Sequence, residues 1–250
     1  MKIIALIAVY NEEGVIEKCI ENAREQGLDV LVIDNGCTDG TMEIVKKLDA
    51  PVYEYKTKQH LMSRLCAISV SLAKKIGCDW YVEKDADEMF ETYDGKKVVE
   101  VVSKADSLGY NCMRFDLYEF WPTVDDDLSI KDFTDRIQYY SYFGNNQLKM
   151  FKNSPEIWTK NSYQAFGTIK ESPAVELIIR HYKFISLEQG REKVRSRLSR
   201  RVASKGIGLQ YQKFTNESKF YVLEKDVYSK LYKFNGTWVK KKVFDGWRGY

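Results

Sequence analysis

The feature that most limits what this chain can fold into is an alternation of two apolar patterns over its first 120 residues. Ile3–Val9 is an unbroken apolar run, the pattern of a strand covered on both faces. Val15, Ile16, Cys19, Ile20 and Ala23 then recur at helical spacing between Glu13 and Gln26, and Gly27 stops the helix. The alternation repeats. Val30–Asp34 reads as a strand, Met42, Val45 and Leu48 as the face of a helix capped by Thr38 or Asp39, and Val52–Tyr55 as a third strand. Leu61, Leu65, Ile68, Leu72 and Ile76 form a helical stripe ahead of a fourth strand, Trp80–Lys84. A helix from Lys96 to Leu108 and a strand from Cys112 to Phe120 complete the series. Strands and helices in this order make βαβ units, so the expected fold is α/β, a mostly parallel sheet flanked by helices.

In such sheets ligands bind beyond the carboxyl ends of the strands. The polar signals fall there: Tyr10-Asn11-Glu12, Asp34-Asn35-Gly36 and Asp85-Ala86-Asp87-Glu88. The last is the sharpest. Three carboxylates in four positions repel one another and resist desolvation, so a fold that gathers them at a strand end is expected to bring a cation there. In an extended segment the side chains of Asp85 and Asp87 point the same way, and Glu88 points the other way. At the second strand end, Thr38-Asp39-Gly40-Thr41 opens a helix whose free N–H groups suit an anion.

Beyond residue 120 the pattern loosens. Trp121-Pro122-Thr123 and Asp125-Asp126-Asp127 read as loop, with short strands near Leu148–Phe151 and Val175–Ile179 and a helix from Leu187 to Val202. The expected organisation is a core over residues 1–120, an acceptor-side region over 121–213 completing the same domain, and a tail over 214–250 packed near it. The second half is thus a helical and irregular elaboration.

Composition excludes several classes. The five cysteines, Cys19, Cys37, Cys66, Cys78 and Cys112, are odd in number and contain no Cys-x-x-Cys, which argues against a zinc or disulfide framework and for a reducing, cytoplasmic setting. No run approaches transmembrane length, and Ile3–Val9 is too short for a signal segment. The formal net charge is +3, but ten Lys or Arg fall between Arg180 and Lys213 against two acids, Glu188 and Glu192. The Arg191–Arg201 stretch suits an anionic acceptor or peripheral contact with an anionic membrane. No nucleic-acid module is recognisable, and no nucleic-acid partner is expected.

Val-Tyr-Asn-Glu-Glu from Val9, Val-Ile-Asp-Asn-Gly-Cys-Thr-Asp-Gly-Thr from Val32, and Asp85-Ala86-Asp87, in that order, resemble the family 2 glycosyltransferases of the GT-A fold. The resemblance covers roughly residues 1–120. It implies a Rossmann-like GT-A domain that binds a nucleotide-diphosphate sugar with Mg²⁺ or Mn²⁺. It places Tyr10 and Glu12 at the base, Asp34 and Asn35 at the base or ribose, Arg64 facing the nucleotide, Asp85 on the ribose and Asp87 on the cation. The family often has Asp-Asp-Gly-Ser where this chain has Asp34-Asn35-Gly36-Cys37, and Asn donates as well as accepts. His181, one of two histidines with His60, matches a late cation ligand, and Arg180 and Lys183 suit the diphosphate.

A one-step, inverting transfer needs a base at the acceptor hydroxyl. Glu119 is the first candidate, with Glu88, Asp116, Asp125–Asp127 and Glu171 behind it. The acceptor class implied is a glycan, a glycolipid or a polyprenyl-linked sugar. Two other readings stand beside this one. A sugar-nucleotide nucleotidyltransferase would want a Gly-rich basic loop where Asn11-Glu12-Glu13 stands. A catalytically silent GT-A-like module binding glycans or anionic surfaces would have no use for Asp85, Asp87 and His181.

Overall fold

The computed structural model describes residues 1–56, 62–161, 164–199 and 221–241. In chain order the elements are β1 (Ile3–Val9), α1 (Ile16–Glu25), β2 (Asp29–Asp34), α2 (Thr41–Lys47), β3 (Val52–Glu54), α3 (Met62–Ile76), β4 (Trp80–Asp85), β5 (Glu88–Thr92), α4 (Val98–Ser107) and β6 (Cys112–Trp121). They continue with α5 (Phe133–Arg136), β7 (Tyr139–Lys152), β8 (Ile157–Asn161), β9 (Gln164–Gly167), β10 (Leu177–His181), α6 (Leu187–Ser199), α7 (Lys225–Tyr228) and β11 (Tyr232–Lys233). The chain divides into two compact units, Met1–Leu117 with Asn145–Ile179 and Tyr118–Gly144 with Arg180–Tyr250.

The first unit is the α/β sheet that the alternation calls for. The strand order is β3-β2-β1-β4-β7-β6-β10-β5. β3, β2, β1 and β4 are mutually parallel, and β7 joins β4 antiparallel. β1, β2 and β4 bury nearly every residue, which is why β1 and most of β2 read as continuous apolar runs; β4 buries Glu83 and Lys84 as well. β3 stands at one edge of the sheet, and its three residues are exposed. On one side of the sheet Leu6, Leu31, Ile33 and Tyr81 pack with Leu65, Leu72 and Ala73 of α3. α1 buries Ile16, Cys19, Ile20 and Ala23, the stripe visible in the sequence, but it starts at Ile16 rather than Glu13. Residues 11–13 are spent on loop bonds instead, as described below.

The strand expected near Leu148–Phe151 is the last third of a 14-residue strand, β7. Its first part, Tyr139-Tyr140-Ser141-Tyr142-Phe143-Gly144, lacks the polar–apolar alternation of a one-sided strand, so no period marks it.

The second unit contains the ends of β6 and β10, the start of β7, and α5, α6, α7 and β11. β11 extends β7, with Tyr232 opposite Tyr140 and Lys233 opposite Tyr139. Rings hold this unit together. Tyr118, Phe120, Tyr140, Phe234 and Trp238 stack and cross with centroids 4.3–6.3 Å apart. The guanidinium of Arg180 lies 4.2 Å from the Phe234 ring centre and 5.2 Å from that of Trp238. A second cluster joins Trp121, Phe184, Val194, Tyr221, Leu223 and Tyr228. There α6 needs its glycine: a Cβ on Gly190 would stand 2.5 Å from the Tyr221 ring. The expected helix continues to Val202, and residues past Ser199 lie outside the described ones.

Candidate active site

The parallel register brings the polar strand ends of the first unit level. Val9 pairs with Asp34, and Ala8 pairs with Asp85, so β2, β1 and β4 end within one residue of each other. The Asn35 N–H bonds the Val9 carbonyl at 2.9 Å, carrying the ladder one step further.

Two of the loops that follow are clipped together by directional bonds. Asn11 stands in the left-handed region at φ 54°, which Asn tolerates better than most residues. Its side-chain oxygen accepts the Thr38 N–H at 2.8 Å and its amide donates to the Thr38 hydroxyl at 3.1 Å. The Glu12 N–H donates to the Thr41 hydroxyl at 2.8 Å, and the Glu13 N–H to Asp39 at 3.2 Å. Glu13 returns a carboxylate oxygen to the Gly40 N–H at 2.8 Å. Asp39 accepts the Thr41 N–H at 3.1 Å and its hydroxyl at 2.6 Å. The N-terminus of α2, which the sequence offers to an anion, is therefore occupied by the chain's own Glu13 and Asp39.

Asp34 is buried and folds its loop, with one oxygen accepting the N–H groups of Gly36 and Cys37 at 2.9 and 2.8 Å. Cys37, standing where the family often has Ser, accepts the Asn11 N–H at 3.4 Å. Burial pushes its thiol up to about 12, partly opposed by that N–H, so it stays neutral. Asn35 and Glu12 are buried at the same end, and Tyr10 is half-buried. Arg64 lies on α3, and its side chain is outside the described residues; His60 is outside them altogether.

The acidic step departs from the extended geometry expected of it. Asp85 ends β4, Ala86 and Asp87 form a two-residue turn, and Glu88 begins β5. The i, i+2 argument for Asp85 and Asp87 therefore does not apply. The turn is held by two lysines that the sequence reading did not single out. β7 runs antiparallel to β4, with Val82 opposite Met150, and this brings Lys149 to the end of β4. Its ammonium lies 2.9 Å from Asp85 and 2.6 Å from Glu88, and its side chain is 2% exposed. Burial alone would lower its pKa; the two carboxylates outweigh burial and raise it, keeping Lys149 charged.

Lys84 donates to the Glu88 carbonyl and, at 3.3 Å, to Asn22, and sits 3.9 Å over the Phe90 ring. Burial lowers its pKa. Asn22 in turn gives both halves of its amide to the Phe90 backbone, at 2.7 and 3.0 Å, as a strand neighbour would. A sequence signal exists for Lys149, a single charge between apolar neighbours in Leu148-Lys149-Met150, whereas Lys84 stands in the charged run Glu83-Lys84-Asp85 and carries none.

Glu88 is thereby accounted for: one oxygen meets Lys149 and the other accepts the Asp85 N–H at 3.2 Å. Asp87 is buried in the turn, and half of the Asp85 side chain remains exposed. Among the described residues no three His, Cys, Asp or Glu side chains form a metal cluster.

In the second unit the structure joins two residues given separate tasks by the sequence. His181, at the end of β10, bonds Glu119 of β6 through Nδ1 at 2.9 Å. Glu119 is buried and His181 half-buried. Each remaining base candidate has a partner in its own unit. Asp116 accepts the Tyr93 hydroxyl at 2.6 Å, and Glu171 pairs with Arg114. Asp125 accepts the Tyr228 hydroxyl, Asp126 the N–H and hydroxyl of Thr123, and Asp127 those of Ser129. On α6, Arg191 and Arg195 are exposed, Arg195 pairs with Glu192, and Lys193 is buried. No helix among the described residues is long and apolar enough to cross a membrane.

The chain is similar to known proteins over part of its length. An uncharacterised glycosyltransferase of Mycoplasma genitalium is 28% identical over 134 residues, 48% of this chain and 43% of that protein. Its Mycoplasma pneumoniae homologue is 29% identical over 134 residues, 50% of this chain and 43% of that protein. The chain thus spans less than half the length of these curated relatives. Among solved structures, glucosyl-3-phosphoglycerate synthase from Mycobacterium tuberculosis, in complex with Mn²⁺, UDP and glucosyl-3-phosphoglycerate, gives a TM-score of 0.38 at 14% identity, covering 61% of this chain and 57% of that one. Its complex with phosphoglyceric acid gives 0.36 at 17%, covering 46% and 44%. Likeness at that level says nothing about donor or acceptor. The family model described as glycosyl transferase family 2 matches residues 4–161, well over half of the chain and all three polar strand ends. The chain belongs to glycosyl transferase family 2.

Proposed function

We propose that this chain transfers a sugar from a nucleotide-diphosphate sugar to an acceptor hydroxyl, with inversion and with Mg²⁺ or Mn²⁺ as cofactor. One observation carries the reading. The three polar strand ends of the family pattern stand level at one edge of a parallel sheet, Asp34 beside Val9 and Asp85 beside Ala8. That is where an open α/β sheet binds its ligand.

In this reading Tyr10 and Glu12 take the base, Asp34 and Asn35 the base or ribose, and Arg64 the nucleotide. Asp34 is suited to a fixed contact because its own loop N–H groups hold one oxygen in place. Asp85 takes the ribose with its exposed half, while Lys149 fixes the other. Asp87 holds the cation. A hard divalent ion commonly takes one or two protein carboxylates and completes its shell with water and substrate phosphates, so Asp87 is a fitting carboxylate donor at this strand end. When bound, the ion offsets the charge that develops on the departing nucleoside diphosphate.

His181 is read as a further cation ligand. What supports this in its own unit is the carboxylate behind the ring: a metal-binding imidazole usually has its other nitrogen held by such a group. Glu119 is then a positioning residue, and its alternative task as general base is separated by experiment. In the first case E119Q and H181A both raise the Mn²⁺ concentration needed for half-maximal rate; in the second, E119Q alone removes the acidic limb of the pH–rate profile.

Peripheral contact of the basic α6 face with an anionic membrane or a lipid-linked acceptor belongs to the same proposal. The deciding experiment is a thermal-shift screen of nucleotide sugars with and without Mn²⁺, followed by turnover. A donor that raises the melting temperature only with metal fits the reading. No shift and no turnover with any donor would overturn it.

A further inference from the structure

The geometry points to Lys149 as a positioning residue that divides labour among the three carboxylates of the acidic strand end. It occupies the space between Asp85 and Glu88 as a resident cation, so that an exchangeable cation is directed to Asp87 rather than between those two. The inference rests on the proposed reading of Asp87, and it goes beyond the three motifs of the resemblance, whose element at this strand end is Asp85-Ala86-Asp87.

Three observations carry it. The Lys149 ammonium is 2.9 Å from Asp85 Oδ2 and 2.6 Å from Glu88 Oε1, so it bridges the two carboxylates and already supplies a positive charge between them. Both Lys149 and Glu88 are buried, at 2% and 4% side-chain exposure, so water does not stand in for the charge. The second oxygen of Glu88 accepts the Asp85 N–H, so the lysine grips a carboxylate that itself closes the turn containing Asp87. Lys84 holds the Glu88 carbonyl as well, so the turn is clamped through both the side chain and the backbone of one residue. Glu88 then shapes the site without being a metal ligand. The lysine serves two ends: it aims Asp85, and it keeps a divalent ion from being drawn between Asp85 and Glu88, away from Asp87.

The test is a Mn²⁺ titration of the full chain without donor, read by the electron paramagnetic resonance signal of free Mn²⁺, for the parent chain and for D87N, E88Q, K149Q and K149Q/E88Q. K149Q is expected to bind Mn²⁺ about tenfold more tightly than the parent, or to bind an additional equivalent, because a nearby positive charge has been removed. Adding E88Q should abolish that gain. E88Q alone should stay within about threefold of the parent, because Glu88 is already engaged by Lys149. A K149Q isotherm that superimposes on the parent would overturn the inference. So would an E88Q chain that loses Mn²⁺ as deeply as D87N, since Glu88 would then be a ligand. If K149Q does not fold by circular dichroism, the E88Q arm decides alone. A D87N chain that binds Mn²⁺ like the parent would sink the assignment of Asp87 instead, and the contrast between K149Q and its double variant would still report on Lys149. A purely structural lysine would move the melting temperature and leave the isotherms in place.

Discussion

The strand ends of the first unit and the ring cluster of the second are stabilised by different physics. In the first, the loop after β1 and the loop before α2 are joined by bonds that each require one residue type: an Asn side chain on Thr38, a Glu on the Gly40 N–H, an Asp on the Glu13 N–H. The partners are 26 or 27 residues apart. In the second, rings from Tyr118, Tyr140 and Trp238 meet across the chain, and the Tyr140 hydroxyl joins Thr237 and Val239, 97 and 99 residues away. Directional bonds demand particular residues at particular places, and such demands leave motifs. Ring packing accepts many residues of similar volume, so it leaves only composition.

Breaking each region separately tests this contrast. The largest effect is expected at the reading's most exacting residue. On the proposed function, Asp87→Asn lowers turnover of the cognate donor by about a thousandfold, or about 4 kcal/mol of barrier, with the folded state intact by circular dichroism. A loss below tenfold would move the chemistry away from this strand end.

Stability should divide along the same line. Lys149→Met removes the buried ammonium that lies between the neighbouring carboxylates Asp85 and Glu88, and is expected to cost about 3–5 kcal/mol by chemical denaturation. Much of that loss should return in Lys149→Met with Glu88→Gln, because the cost is an uncompensated charge. Phe120→Ala removes a ring 1% exposed that stacks on Tyr140 and packs at a tilt against Tyr182, and is expected to cost about 3–4 kcal/mol. No change of charge should recover it. If Phe120→Ala were rescued by neutralising Arg180, the second region would be governed by charge after all, and the contrast would fail.

The same contrast explains what the sequence discloses. The apolar runs give β1 and β2 almost to the residue, because a strand buried on both faces favours continuous apolarity, and the spacing of the intervening helices places β3 and β4. The family motifs locate Asp34 and Asp85 at strand ends, and the register shows them level. The Asp87 turn was not legible: extended and turn backbones share the same four letters, and what closes the turn is Lys149, more than sixty residues on in an antiparallel strand. Nor was the Glu119–His181 pair, since one strand pattern holds each partner and neither strand records its neighbour. The ring cluster leaves no motif, and its one trace in the sequence is that more of the Phe, Trp and Tyr residues lie in the second half of the chain than in the first.

The smallest expected effect is also the most discriminating, because it isolates one bond of the loop lattice. Gly40 has φ −70°, a conformation open to any residue, so backbone freedom does not explain the glycine. Proximity does: a Cβ there would stand 2.8 Å from the Glu13 carboxylate that accepts the Gly40 N–H. Gly40→Ala is therefore expected to push Glu13 off α2 and cost about 1–2 kcal/mol, the value of one charge-assisted hydrogen bond. In a Glu13→Ala background the clash has no partner, and the same substitution should cost only a few tenths of a kcal/mol. The coupling in this double-mutant cycle, about 1 kcal/mol, measures the bond itself. A cycle with no coupling would mean that Gly40 answers to helix capping alone, and the lattice would then rest on Asn11 and Asp39.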